Sequence, residues 1–436
     1  MNSLQLLKNA FYDHGVRKLF IKVLSANDNS KNQVYLAGSF DILNILPIKN
    51  IVTEEAGDWN RERFKAAVDF SWLTDEGNVS SAPYSQLILY PKYPEVRFSG
   101  FLKRSPNAPS ALMTQRLHGR LLFIGVTDKG TILGHVTSPE SPITQEFNAL
   151  PPMEQYGVFS VMELAVATTS RTQLLSELLR IHHLGWIRSK RLDRNGNTLA
   201  CEAPNCGGYT LEAELGITPN GYSEPDFLGW EVKQFGVANF ERIGSSVITL
   251  MTPEPTGGIY KEQGVGDFLY LYGYEDKMGR ADRLNFGGIH KVGIPHNTTG
   301  LTMKLIGFDH DSGKIRNTSG KIALLDADGH EAASWDFASL LLHWNRKHNQ
   351  ACYVPAISSI KPIRQYSYGS RVILGTGTDF HLFLSQLAVG NIYYDPGIKM
   401  ENISVKPRVK KRSQFRIKSA FLPALYRSNE IVPLVP

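Results

Sequence analysis

Three cysteines are all that a chain of 436 residues contains: Cys201, Cys206 and Cys352. A disulfide framework needs more than that, so the count fits a reducing cytoplasm, here expected to be bacterial. No apolar run approaches the ~18 residues of a membrane span. The first 22 residues interrupt their apolar positions with Asp13, His14, Arg17 and Lys18. They are therefore not expected to form a signal peptide, and no membrane partner is expected. Charge of one sign is scarce too: 47 Lys and Arg stand against 41 Asp and Glu, a net +6. With 42% hydrophobic and 20% charged residues, disordered, collagen-like and coiled-coil chains are excluded. At ~150 residues per domain the length suggests two or three domains.

What charge there is lies unevenly. Residues 1–168 hold 16 basic and 16 acidic side chains, and the remainder holds 31 and 25. Between Ile403 and Arg427 there are eight basic residues and no acid. Such a stretch suits a polyanion such as DNA, or equally a solvated, lysine-rich edge strand. The first ~165 residues read as mostly β. Val34-Tyr35-Leu36 and Leu121 to Val126 are strand-like runs, and Asp128-Lys129-Gly130 is a turn. Many short strands suggest a barrel or sandwich. Leu174, Leu175, Leu178, Leu179 and Leu184 then fall at helical spacing, with Ser170 and Gln173 as a capping box and Gly185 as a C′ glycine. A domain boundary is expected just before this helix. The chain beyond mixes strands with helices, as at Trp335 to His343 and Leu382 to Leu387.

The most informative stretch is Pro225-Asp226-Phe227-Leu228-Gly229-Trp230-Glu231-Val232-Lys233, which reads PD-x4-E-x-K. Side chains two apart in a strand share a face, so Glu231 and Lys233 point one way while Trp230 and Val232 can pack on the other. Asp226 lies at an odd offset and joins them only through a turn or bulge, which Gly229 permits. Glu212, on a short helical segment upstream, offers a further carboxylate. Carboxylate oxygens are hard ligands that suit Mg²⁺, and a metal beside a lysine suits phosphodiester hydrolysis. The short pattern also arises by chance as a solvated strand face.

The second half resembles the MvaI/BcnI restriction endonucleases, relatives of the MutH nicking enzyme. Gly185 to Arg191 looks like that family's segment after its first helix. Glu212 sits where the family has a helical glutamate, fourteen residues before Asp226, and Asp226, Glu231 and Lys233 match its catalytic triad. Ile248 to Pro255 resembles a following strand and loop, and Gly375 to His381 the late Gly-Thr segment near base-reading residues. The resemblance implies an α/β PD-(D/E)XK nuclease domain with a mixed sheet over residues 166–436. Asp226, Glu231 and the Val232 carbonyl would ligate Mg²⁺, and Arg371 and His381 would lie at the DNA. The chain departs from the family in lacking a His-x-His before Gly375 and in continuing past the expected end into the basic tail.

Phe20 to Asp28, followed by Gln33-Val34, resembles the N-terminal effector domain of EcoRII-type enzymes. That implies a mostly-β DNA-binding pseudobarrel over residues 1–165, gripping a groove with two arms. The first would run from Ser25 to Tyr35 with Asn27, Lys31, Asn32 and Tyr35 in contact. The second would run from Tyr90 to Arg97 with Lys92, Tyr93, Glu95 and Arg97. Joined in one chain, the two resemblances imply a monomeric enzyme specific for 5′-CCWGG-3′ in double-stranded DNA, holding two sites at once. A MutH-like repair nicking enzyme and a non-enzymatic DNA-binding regulator are the rival readings. Zinc is not supported, because Cys201 and Cys206 lack a second ligand pair. His343 and His348 read as surface or packing residues, and Thr256-Gly257-Gly258 lacks the Walker Lys-Ser/Thr.

Overall fold

The computed structural model describes residues 1–26, 33–54, 62–92, 95–164, 170–203, 205–218 and 226–435, with Arg346 described in its backbone alone. The chain divides into two compact units, Met1–Ala167 and Thr168–Pro436.

The first unit is mostly β. Its larger sheet has seven strands, in the order Gln155–Tyr156, Phe159–Glu163, Val16–Leu24, Arg120–Thr127, Ile132–Thr137, Phe70–Leu73 and Val79–Ser81. The Arg120–Thr127 strand carries the apolar run expected there, and the turn after it closes with Gly130 at φ +81°. Alternate side chains of these strands, among them Leu19, Ile21 and Phe123, bury against Leu7 and Phe11 of the helix Leu4–Asp13. A five-stranded antiparallel sheet runs in the order Val34–Ala37, Glu95–Ser99, Gln86–Tyr90, Arg63–Ala67 and Asn50–Glu54.

In the second unit the helix Ser170–His183 lays Leu174, Leu178 and Ile181 on the core, as the heptad-like spacing requires. Gly185 follows it at φ +66°, a left-handed position that Gly takes without a Cβ penalty. Leu184 lies past the helix end and is exposed, because the helix stops one residue short of it. The Oγ of Ser170 accepts the Trp230 indole N–H at 3.3 Å.

The sheet under this helix is mixed. Ile187–Arg188, Gln365–Tyr368, Gln350–Ser359, Arg371–Thr378 and Tyr426–Pro433 pair antiparallel in that order, and Glu231–Gly236 joins Gln350–Ser359 in parallel. Parallel neighbours need a long crossover. Here the crossover contains the three-stranded sheet Thr302–Ile306, Lys321–Leu325 and Glu331–Asp336, two strands of a four-stranded sheet that Gly397–Glu401 and Arg408–Lys410 complete later, and the helix Phe337–His348.

Two expectations are corrected. The basic stretch from Ile403 is not an appended tail. Phe415–Lys418 pairs with Val247–Met251 and with Ile392–Tyr394, and Tyr426–Pro433 pairs with Arg371–Thr378 in the central sheet. Its apolar positions Phe415, Ile417, Leu422 and Leu425 are buried, which a charge count does not register. The cysteines are corrected as well: Cys201 and Cys206 are joined in a disulfide. The hairpin Lys190–Leu192/Thr198–Ala200 turns the chain back onto the start of the helix Cys206–Glu214. The two Cα atoms are thereby 5.8 Å apart, inside the range a disulfide spans. Cys352 is free and buried.

Candidate active site

The site is built around the edge where Glu231–Gly236 meets Gln350–Ser359. Trp230 and Val232 bury in the core beneath the helix Ser170–His183, which sends Glu231 and Lys233 to the opposite face. Asp226 reaches that face through a two-residue hairpin. Phe227 and Trp230 exchange both backbone hydrogen bonds, at 2.9 and 2.8 Å, around Leu228 at φ +49° and Gly229 at φ +86°. Positive φ at both central positions is the type I′ geometry, for which Gly229 is suited and Leu228 is not. The turn brings the Asp226 carboxylate back over the strand, where its Oδ2 accepts the Val232 N–H at 3.0 Å.

Glu231 is 3% exposed. Its Oε1 accepts from Lys233 Nζ at 2.8 Å and faces Lys347 Nζ at 3.8 Å. Its Oε2 is buried and has no hydrogen-bond partner among the described residues. Glu212 completes the cluster from the helix Cys206–Glu214. That helix packs closely because Gly207 has no side chain; a Cβ there would meet Gln234 Oε1 at 2.7 Å. The Tyr368 hydroxyl donates to the Gly207 carbonyl at 2.8 Å, and Thr210 ties the helix to Lys190.

Three carboxyl groups share two ammonium groups in a largely buried space, and the acidity of Glu212 and Asp226 shows it. Burial, with Asp226 and Glu231 alongside, pushes Glu212 up to about 7. Burial and Glu231 push Asp226 up to about 6, against the pull of the Val232 N–H and the two lysines. Such a cluster carries more negative charge than its own cations offset. An arrangement of this kind can hold a divalent cation and place a water beside it.

Lys347 is the residue that the sequence reading missed. It is the penultimate residue of the helix Phe337–His348, 114 residues beyond Lys233. Its neighbour His348 is buried and stacked on Trp344 at 4.0 Å, and its Nε2 meets the Leu250 carbonyl at 3.0 Å. Burial holds the His348 imidazole well below its usual range, with Lys233 and Lys347 nearby adding to the effect. No local motif marks Lys347; only the docking of this helix beside the site strand does.

Other expected site residues are placed as follows. Val232, offered as a carbonyl ligand, holds Asp226 through its N–H and buries its side chain. Arg371 begins its strand and is exposed. The row containing Glu231 runs through Ala351 to Gly375, so Arg371 lies four residues, roughly 13 Å, along from it. His381 sits in the first turn of the helix Phe380–Ala388, with its Nδ1 at 2.9 Å from the capping carboxylate of Asp379. Burial would push the Asp379 carboxyl up, but the bonds to His381 and nearby Arg427 hold it low.

In the first unit, Asn27, Lys31, Asn32 and Tyr93 lie outside the described residues. Tyr35 and Arg97 are cross-strand partners, so the sheet brings the two expected arms together at that pair. Arg97 is bonded to Glu95, and its guanidinium lies 5.7 Å from the Tyr90 ring centre. Lys22 Nζ lies 5.8 Å from the ring centre of Tyr35, and Lys92 is exposed in a turn.

The model of the MvaI/BcnI restriction endonuclease family matches residues 175–426, more than half of the chain. The match runs through the basic stretch, in agreement with its place in the sheets. Among solved structures, the restriction endonuclease MvaI in complex with its cognate DNA substrate is similar at 19% identity, with a TM-score of 0.46. MvaI in the absence of DNA is similar at 17% identity, with a TM-score of 0.34. Each match covers 62% of this chain and 100% of the other. None of the curated protein sequences compared with the chain matches it.

Proposed function

Because the chain belongs to the MvaI/BcnI restriction endonuclease family, and is thus a type II site-specific endonuclease, we propose that Asp226, Glu231, Lys233 and Glu212 carry its chemistry. The proposed reaction is Mg²⁺-dependent hydrolysis of a phosphodiester in double-stranded DNA, leaving a 5′-phosphate. The carrying observation is the buried, partnerless Oε2 of Glu231 amid two carboxyls whose protons are held too tightly. This donor set fits a hard divalent cation: Asp226 and Glu231 would hold it, with the Val232 carbonyl as a further ligand. When bound, Mg²⁺ polarises a water and offsets charge on the phosphate oxygens.

The chain's own groups do the rest. The Val232 N–H fixes Asp226, and Lys233 fixes Glu231, so neither carboxylate has to reorganise as charge develops. The Lys233 ammonium orients the attacking water and balances the acids. Glu212 would support the water or a second metal ion as a further carboxylate of the cluster.

For specificity we carry over 5′-CCWGG-3′ from the resemblance of both halves. The first unit acts as an effector pseudobarrel that binds a second copy of the site, through Tyr35, Arg97, Lys92 and the arm residues Asn27, Lys31, Asn32 and Tyr93. Residues 166–436 form the PD-(D/E)XK nuclease domain, working as a monomer in the bacterial cytoplasm. Incubation with plasmid and Mg²⁺ tests the reaction: double-strand breaks support it, while nicks alone or intact plasmid refute it. Sequencing the ends of digested genomic DNA tests the site.

A further inference from the structure

The two large apolar side chains most exposed to solvent among the described residues are Met278, at 84%, and Val405, at 88%. They are 127 positions apart in sequence, yet the fold sets their loops side by side. The four-stranded sheet runs Tyr274–Glu275, Arg283–Gly287, Gly397–Glu401, Arg408–Lys410. Arg283 pairs with Glu401, and Glu401 with Arg408, so loops 276–282 and 402–407 leave the same end of it. Asp282 fastens the loops together: its carboxylate accepts the Ser404 N–H at 2.7 Å and the Ser404 hydroxyl at 2.9 Å. Asp276 shapes the first loop by accepting the Met278 N–H at 2.9 Å and facing Arg283 at 3.2 Å.

The acids of both loops are thus turned to internal work, and Lys277 lies 5.0 Å from the Tyr274 ring centre and donates to the Thr298 hydroxyl at 3.4 Å. Lys277, Arg280, Lys406 and Arg408 are exposed, and no ion pair holds Arg280, Lys406 or Arg408 among the described residues. The result is a pair of braced tips, each with an apolar side chain at its crest and basic side chains on its flanks. Met278 and Val405 bury little in the fold, so their apolar surface is open to a partner. Apolar residues braced among cations match a duplex groove, where phosphates line the walls and base edges and sugars line the floor.

We propose that these paired tips enter the DNA minor groove, where Met278 and Val405 press on a base step and Lys277, Arg280, Lys406 and Arg408 hold the flanking phosphates. The proposal rests on the reading of the chain as a DNA endonuclease and adds a deforming contact to it. Pressing apolar side chains against a step unstacks it and kinks the duplex by ~20–90°.

The test uses the full chain with Ca²⁺ in place of Mg²⁺. The DNA is a set of circularly permuted fragments carrying a cleavage position mapped from the enzyme's own products. The wild-type protein should retard the fragments according to site position, which reports a bend. Met278→Ala/Val405→Ala should still bind, about tenfold more weakly, with the bend reduced or lost. Lys277→Ala/Arg280→Ala should lower the slope of log K against log salt by about 2. A wild-type protein that cuts DNA but does not bend it would overturn the wedge and leave the endonuclease reading standing. So would a double-alanine variant that bends DNA as wild type does. A protein that neither binds nor cuts duplex DNA would end both.

Discussion

Glu212→Gln should make the metal-free protein more stable than wild type at pH 8, and the gain should disappear near pH 4. In the unfolded chain this carboxyl ionises near 4.5, whereas in the fold burial and its acidic neighbours delay ionisation to about 7. A carboxyl raised in this way binds its proton more tightly folded than unfolded, so stability falls as pH climbs between the two values. Below about 4.5 both states are protonated and the penalty is absent; above about 7 both are ionised and it is complete. At ~1.4 kcal/mol per pKa unit the penalty is about 3 kcal/mol, which is several degrees in the melting point of a unit this size. Part of it is repulsion from Asp226, so Asp226→Asn with Glu212→Gln should gain less than the sum of the two. The assay is thermal or urea denaturation in EDTA at pH 4 and pH 8. Millimolar Mg²⁺ should then raise wild type more than the variant. A variant less stable than wild type at pH 8 in EDTA, or one whose gain persists at pH 4, would refute the crowded-carboxylate argument.

Further outcomes can be checked alongside. Asp226→Ala and Lys233→Ala should lower cleavage by at least ~100-fold while binding in Ca²⁺ persists; near wild-type cutting would mean the site is misplaced. Lys347→Ala should slow single-turnover cleavage by about tenfold, with Lys347→Arg recovering most of it, because its ammonium faces the same Glu231 oxygen as Lys233. Leu228→Asn should stabilise the protein by ~1 kcal/mol in denaturant titrations, since a left-handed leucine is strained where asparagine is tolerated. Deleting residues 1–165 should leave plasmid cutting intact and erase any preference for two-site over one-site plasmids, a preference the Lys92→Ala/Arg97→Ala variant should also lose.

What could be read from sequence was what local geometry dictates. The period of two in Trp230-Glu231-Val232-Lys233 sorted core from site, and Gly229 marked the turn that returns Asp226 to the strand. The leucine spacing gave the helix Ser170–His183, though not where it stops. What could not be read depends on contacts distant along the chain. Lys347 reaches Glu231 only because a later helix docks there. The cysteines meet because a hairpin folds back, which a compartment argument from their number does not sense. The basic stretch looked appended because its charge is conspicuous and its buried apolar positions are not.

The parallel pairing of Glu231–Gly236 with Gln350–Ser359 also fixes an order of events. The three carboxylates lie near the middle of the chain and within about twenty residues of one another, but their strand has no sheet to join until residue 356 exists. The counter-charge of Lys347 arrives in the same late stretch. A chain released or stalled before that point holds the acids without the scaffold that aims them. Assembly of the candidate site therefore waits on closure of a loop of more than a hundred residues, a slow step for any fold.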